Sequence, residues 1–416
     1  MIASEGERPD AEPPLAGLKV VELARVLAGP FAGQLLADLG ADVIKVESPA
    51  GDETRSWGPP DVANSDGSTD AAYFHAANRG KRSIAVDLKT ADGQAVVRRL
   101  AERSDVLIEN FKVGGLAKYG LDYLSLRLSC PRLVYCSITG FGQDGPYAHR
   151  PGYDFIIQGM GGIMDVTGAA DGEPMKCGVA FADIFTGLYA VIAIQAALAH
   201  RDRTGEGQHI DMALLDSLVG VLANQALNYL VSGKAPRRLG NAHPNIVPYQ
   251  AFPTADGFVN IAVGNDDQFR SLTAVLGVPT LADNPDFAHN SQRVTNRERL
   301  IPLLTERTVR FASGELIDQL VSHNVPAGPI NTVADVFADP QMVARGMQLS
   351  LERTGGGSVP SVRTPIRLSG TPLRYDRPAP QLGAHGDDVL SEHGYTRAEI
   401  EKLKASGAIG RRHPAD

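Results

Sequence analysis

Apolar positions in the first part of the chain come in short bursts separated by longer mixed stretches. Leu18–Leu23 is a compact run of Leu and Val, the length of a buried strand and too short for a core helix. After the loop Ala24–Gly29, Pro30 stands where a helix can start, because its fixed φ suits the first turn. Phe31–Leu39 then predicts a helix, with Gly40 as its stop. The same punctuation gives strand Val43–Glu47, strand Ser83–Leu88, helix Thr90–Arg103, and strands Asp105–Glu109 and Leu133–Ile138. Alternation of this kind predicts an α/β fold with a mostly parallel sheet covered by helices on both faces.

Further along, a long helix is expected from about Asp183 to His200, then strand Gln208–Met212 and a helix from Leu214 that fades near Ser232–Lys234. The basic, polar stretch Ala235–His243 reads as a linker. A smaller unit follows, with strand Phe258–Val263 and helices near Asp266–Leu276, Arg293–Phe311 and Gly314–His323. A last helix covers Thr396–Ser406. No solenoid repeat or low-complexity block interrupts the pattern.

Composition narrows the function. A net charge of −8 over 416 residues speaks against nucleic acid as the main partner, although one local basic patch could still hold a phosphorylated molecule. The three cysteines, Cys130, Cys136 and Cys177, lack CxxC spacing, so they suggest neither a disulfide framework nor a zinc site. Met1–Pro14 has no basic n-region and no apolar h-region, and reads as a disordered leader. Leu188–Ala199, the most apolar helical run, is too short and Ala-rich to span a bilayer. These features point to the cytoplasm, with no membrane partner.

Candidate chemistry starts with what fails. Gly140–Gly145 reads G-F-G-Q-D-G, the form of a dinucleotide fingerprint, but Pro146, Pro151 and Gly152 follow where a helix would have to open. A nicotinamide oxidoreductase is therefore disfavoured. No Walker A loop, nucleophile elbow or metal-ligand spacing occurs. Asp183, in A-F-A-D-I-F-T-G, falls where a short apolar run meets a long helix. Its plain reading is a helix cap. Its functional reading is a carboxylate nucleophile kept ionised by the helix dipole. Arg55, Asn78, Arg79, Lys81 and Arg82 make a basic cluster that reads either as a solvated turn or as a phosphate patch.

Taken together, these segments resemble the class III CoA-transferases, the superfamily of formyl-CoA transferase, carnitine CoA-transferase and the 2-methylacyl-CoA racemases. The matching strings include L-A-G-P-F-A-G-Q-L-L-A-D-L-G-A-D-V-I-K-V-E, N-R-G-K-R-S-I-A-V-D-L-K, E-N-F, T-G-F-G-Q-D-G-P-Y, R-P-G-Y-D, A-D-I-F-T-G-L-Y-A and G-N-A-H-P-N. They run from about Leu15 to Leu390. The resemblance implies a doubly wound large domain built from both chain ends, a smaller α+β domain, and a homodimer of two interlocked rings. The corresponding ranges are a leader at 1–14, the first part of the large domain at 15–200 and a linker at 201–245. A small domain at 246–333, a return linker at 334–360 and a closing part at 361–416 follow.

The resemblance also implies a reaction: coenzyme A moves from an acyl-CoA donor to a free carboxylic acid, through a covalent thioester on Asp183. No tightly bound cofactor is implied. Val26, Leu27 and Ala28 would lie near the CoA, Arg82 would face its phosphates, and Lys118 stands where relatives carry a basic residue. Gln143 would sit close to the nucleophile. Two departures matter. Tyr153 replaces the His that racemases use for α-proton transfer, and a phenol with pKa near 10 is a poor substitute. A run of four glycines found in oxalate-using relatives is missing, so Tyr153 and His243 become candidates for binding a dicarboxylate such as succinate, mesaconate or glutarate. The alternatives are a 2-methylacyl-CoA racemase or epimerase and a non-catalytic acyl-CoA-binding protein.

Overall fold

Strands whose residues are apolar on both faces must be covered on both sides. Val20 and Val21 are both fully buried, as are Val106, Leu107 and Ile108. The computed structural model, which describes residues 11–64, 66–353 and 356–411, places them at the centre of a six-stranded sheet. Its strands are β1 (Lys19–Glu22), β2 (Asp42–Glu47), β3 (Arg82–Ala85), β4 (Val106–Glu109), β5 (Val134–Thr139) and β6 (His209–Ala213). All neighbours pair in parallel, in the order β3-β2-β1-β4-β5-β6. Val21 faces Ile44 on one side and Leu107 on the other. The chain builds outward from β1 to β3, then returns to the far side of β1. This reversal opens a crevice beyond the carboxyl ends of β1 and β4, the usual ligand position in open α/β sheets.

The helices that cover the sheet follow from local signals. α1 (Ala28–Asp38) starts two residues before Pro30. α2 (Ala91–Glu102) is capped by Thr90, whose hydroxyl accepts from the Gly93 N–H at 3.0 Å. Three more matter for the site: α3 (Asp154–Met160), α4 (Phe181–Thr204) and α5 (Leu214–Gly220). α4 packs on α1, and a Cβ at Gly187 would stand 2.8 Å from the Ala28 carbonyl oxygen. The apolar run expected to be too short for a bilayer belongs to this longer helix. By length and composition α4 could cross a membrane. Here it lies against α1, and Arg201 near its end pairs with Asp105 at 2.7 Å.

Val389, Leu390, Ile400 and Leu403, from helices Gly386–Glu392 and Arg397–Ala405, share one core with Val21, Ile44 and Leu107. Both ends of the chain therefore build the first of two units, which comprises residues 1–161, 177–226 and 343–416. The second comprises 162–176 and 227–342. It holds an antiparallel sheet of Tyr249–Pro253, Phe258–Ala262 and Ala327–Pro329, with Phe252, Val259, Ile261, Phe269, Leu300 and Leu316 in its core.

The ranges expected as linkers are largely structured. Residues 201–245 contain β6, α5 and helix Ala223–Ser232. The reason is that β6 completes the sheet, with Ile210 opposite Cys136. Residues 334–360 hold short helices and most of an antiparallel pair, Gln348–Glu352 with Ser358–Val362. Most of the expected leader, Met1–Asp10, lies outside the described residues.

Candidate active site

The loop after β1 is held from below by buried charge. Glu22, at the end of β1, takes Lys45 Nζ at 3.1 Å and Lys81 Nζ at 2.8 Å, and all three side chains are fully buried. Lys45 also reaches Asp52 at 3.0 Å and donates to the Ala24 carbonyl at 2.9 Å. Asp52 in turn accepts from the Val26 N–H at 3.3 Å. That bond stabilises an uncommon backbone, because Val26 has φ of +69°, a region β-branched residues avoid. Asn110, just past β4, clasps the same loop from the side. Its Oδ1 accepts from the Arg25 N–H at 2.9 Å, and its Nδ2 donates to the Arg25 carbonyl at 2.7 Å.

Asp183 enters the crevice from the other side. It is the third residue of α4, whose N-cap position is Ala180, so it is not the cap itself. Asp154, at the start of α3, takes the α4 N-terminus instead: its Oδ1 accepts from the Ala182 N–H at 2.8 Å. Gln158, fully buried one turn on, donates to Asp154 Oδ2 at 2.7 Å and accepts from the Cys177 N–H at 2.8 Å. These bonds fix the chain that leads into α4.

The electrostatics differ from the expectation. Burial raises the Asp183 carboxyl from 3.8 to about 7, and the neighbouring Asp154 charge adds to the rise. No hydrogen bond to the carboxyl from the described residues offsets this rise, and the Ala182 N–H at the start of α4 goes to Asp154. Tyr73, edge-on to Trp57 at 5.2 Å, also has a raised pKa, through burial first and then the Asp183 and Asp154 carboxylates.

The third wall is the loop between β5 and α3. A Cβ on Gly140 would lie 2.6 Å from the Gly152 Cα, so the two ends of this loop touch backbone to backbone. Only glycines allow that approach. It brings Arg150 and Tyr153 to the cavity that Val26, Leu27, Ala28, Lys112 and Asp183 line. The cavity measures about 170 Å³. That is below the ~300–1,000 Å³ of a drug-sized site and leaves room for an acyl group.

Of the expected site residues, the structure thus brings together Asp183, Val26, Leu27, Ala28 and Tyr153. Gln143 is not among the residues lining this cavity. Its N–H donates to Asp211 at 2.9 Å, and it lines a second cavity with Glu109, Ser137 and His209. After Gly145 the chain turns, and the next helix is α3. Lys118 sits in a short 3-10 turn, with its ammonium 4.7 Å from the Tyr119 ring. Arg82 is buried at the β3 edge of the sheet, hydrogen-bonded to Asp42 at 3.0 Å and paired with Glu392 at 2.7 Å. The basic cluster around it is likewise spent on carboxylates: Arg79 on Asp38, Lys81 on Glu22, Arg55 on Glu47 and Asp70. It is neither a solvated turn nor a free phosphate patch. His243 belongs to the second unit, where its Nδ1 accepts from the Asn245 N–H at 3.1 Å and its ring lies 5.2 Å from Tyr249. Among the described residues no cluster of His, Cys, Asp and Glu has the makings of a metal site.

Fold and site together define an α/β enzyme with an unpaired carboxylate at the switch point of its sheet. Comparison with known proteins gives it a family. The model for CoA-transferase family III matches residues 15–386. A succinate–glutarate CoA-transferase of Agrobacterium fabrum is 59% identical over 388 residues, 93% of this chain and 97% of the relative. The human succinyl-CoA:glutarate CoA-transferase is 42% identical over 95% of this chain and 90% of its own length. The crystal structure of a CAIB/BAIF family protein from Brucella suis superposes with a TM-score of 0.82 at 61% identity, covering 92% of this chain and all of that one. The chain belongs to CoA-transferase family III: it is a CoA-transferase, and CoA thioesters are its substrates.

Proposed function

We propose that the enzyme moves CoA between dicarboxylic acids, with a succinyl-CoA-type donor and glutarate, mesaconate or succinate as acceptor, through a covalent Asp183 intermediate. The observation that carries this reading is the Asp183 carboxylate itself. It accepts no hydrogen bond among the described residues and shares its cavity with the Val26–Ala28 loop. Ionised, it attacks the donor thioester carbonyl. The C–S bond breaks, CoA leaves as thiolate, and a mixed anhydride forms. The thiolate attacks the Asp183 carbonyl, releasing the donor acid and leaving aspartyl-CoA. The acceptor carboxylate then attacks that thioester, expelling the thiolate and forming a second anhydride. Thiolate attack on the acceptor carbonyl releases the new thioester and restores Asp183. Every intermediate is hydrolysable, so the cavity must exclude water. Asp154 and Gln158 hold the α4 N-terminus, and with it Asp183, in register throughout.

We also infer a working homodimer of two interlocked rings. The exposed apolar side chains Phe155, Ile156, Tyr189 and Ile192 on α3 and α4 favour a partner surface. Incubation with succinyl-CoA and glutarate, followed by chromatography and mass spectrometry, tests the reaction. Stoichiometric glutaryl-CoA is expected, and hydrolysis without transfer would contradict it. A stable monomer in sedimentation at micromolar concentration would contradict the rings.

A further inference from the structure

A dicarboxylate brings a second charge into the cavity. One carboxylate reacts at Asp183, and the other must lose water in the same confined space. A carboxylate buried without a partner is strongly disfavoured, so a cavity that accepts one needs a free cation. The lining holds three basic side chains, Arg25, Lys112 and Arg150. Arg25 is already matched to Glu53 at 2.7 Å. Lys112 and Arg150 are both exposed, and Lys112 also borders the second cavity. Arg150 is different. Its guanidinium lies 4.6 Å from the Tyr147 ring centroid and 5.7 Å from that of Phe141. Those two rings meet edge to face at 5.6 Å, and the Arg150 N–H donates to the Tyr147 carbonyl at 2.9 Å. Among the described residues no carboxylate pairs with Arg150. It is a guanidinium held by aromatic faces, with its fork of N–H donors unspent.

We propose that Arg150 is the specificity-determining residue that clamps the remote carboxylate of the acyl group and so selects dicarboxylic over monocarboxylic substrates. The planar fork matches a carboxylate in bidentate fashion, which a lysine cannot do. The aromatic shelf lowers the ordering cost of the clamp by fixing the guanidinium before substrate arrives. The proposal rests on the dicarboxylate reading above.

The test compares formation of the covalent CoA adduct from succinyl-CoA and from butyryl-CoA, which differ only in the remote group. Intact-protein mass spectrometry reads the rate for wild type, Arg150→Gln, Arg150→Lys and Lys112→Gln. Arg150→Gln is expected to lower the succinyl/butyryl rate ratio about a hundredfold, the range for losing a hydrogen-bonded charge partner. Arg150→Lys should recover part of that ratio, and Lys112→Gln, at the other exposed cation of the lining, should lower it less than Arg150→Gln does. An Arg150→Gln variant that slows both esters equally would overturn the clamp and make Arg150 a contact to the shared CoA moiety. An unchanged ratio would overturn it too. No adduct from either ester on wild type would fell the covalent reading, whereas adducts with an unaltered ratio would fell the clamp alone.

Discussion

Two sets of carboxylates face the crevice, and they differ in what stands opposite them. On the β1–β2 side, Glu22, Glu47 and Asp52 each meet a cation: Lys45 and Lys81, Arg55, and Lys45 again. On the α4 side, Asp183 meets Asp154. Burial opposes ionisation in both places. For Glu47 and Asp52 it is outweighed by Arg55, Lys45 and hydrogen bonds, and both carboxyls are held below the ordinary range. For Asp183 nothing answers it, and the carboxyl rises to about 7. A paired carboxylate shapes backbone, as Asp52 does for Val26. An unpaired one keeps its lone pairs for chemistry and is less stable for it.

The sharpest way to break this comparison is to unpair the first set. Lys45→Met leaves Glu22 and Asp52 short of a cation where no water reaches. Uncompensated buried charge costs about 3–5 kcal/mol, which should appear as a lower urea midpoint. A loss below about 1 kcal/mol would mean that the network is not what holds the loop.

Next in size is the pH dependence of the second set. Asp183 attacks only when ionised, and its pKa lies at about 7. Adduct formation should therefore fall about tenfold per unit as the medium becomes more acidic than that value, and level off above it. A rate independent of pH across neutrality would contradict the raised carboxyl.

The third effect is on stability. Asp183 has a folded pKa of about 7 against an ordinary 3.8, so the folded chain holds a proton that the unfolded chain has lost. Stability conferred by that proton is complete below 3.8 and is lost as pH rises to about 7. Asp183→Asn removes this dependence. The variant should melt higher than wild type in mildly alkaline buffer, with the gap closing on acidification. A variant that melts lower in alkaline buffer would show that Asp183 is supported by contacts other than those described.

Much of this was legible in the sequence. The strands from β1 to β5 announce themselves because both faces are buried along most of their length. Asp183 was legible as a residue near a helix start, although local pattern could not separate cap from nucleophile. What escaped depends on partners distant along the chain. Arg82 reads as a free cation until Glu392, 310 residues away, is folded against it. Tyr73 and Asp52 carry no local signal of their place beside Val26 and Asp183. Asp154 did leave a trace: it opens the run D-F-I-I-Q, with Gln158 four residues on, the spacing of a side-chain pair on one helix face. The prolines and glycines before it masked that helix as a turn. Arg150 entered only as the first residue of the string R-P-G-Y-D, and its aromatic shelf of Tyr147 and Phe141 shows only in the folded loop.

The central claim is that Asp183 itself carries the CoA. Wild type and Asp183→Ala should be mixed with succinyl-CoA and their intact masses compared. The account predicts a gain of one CoA less one water on the wild type and no gain on the variant. An adduct on both proteins, or transfer to glutarate retained by the variant, would contradict it.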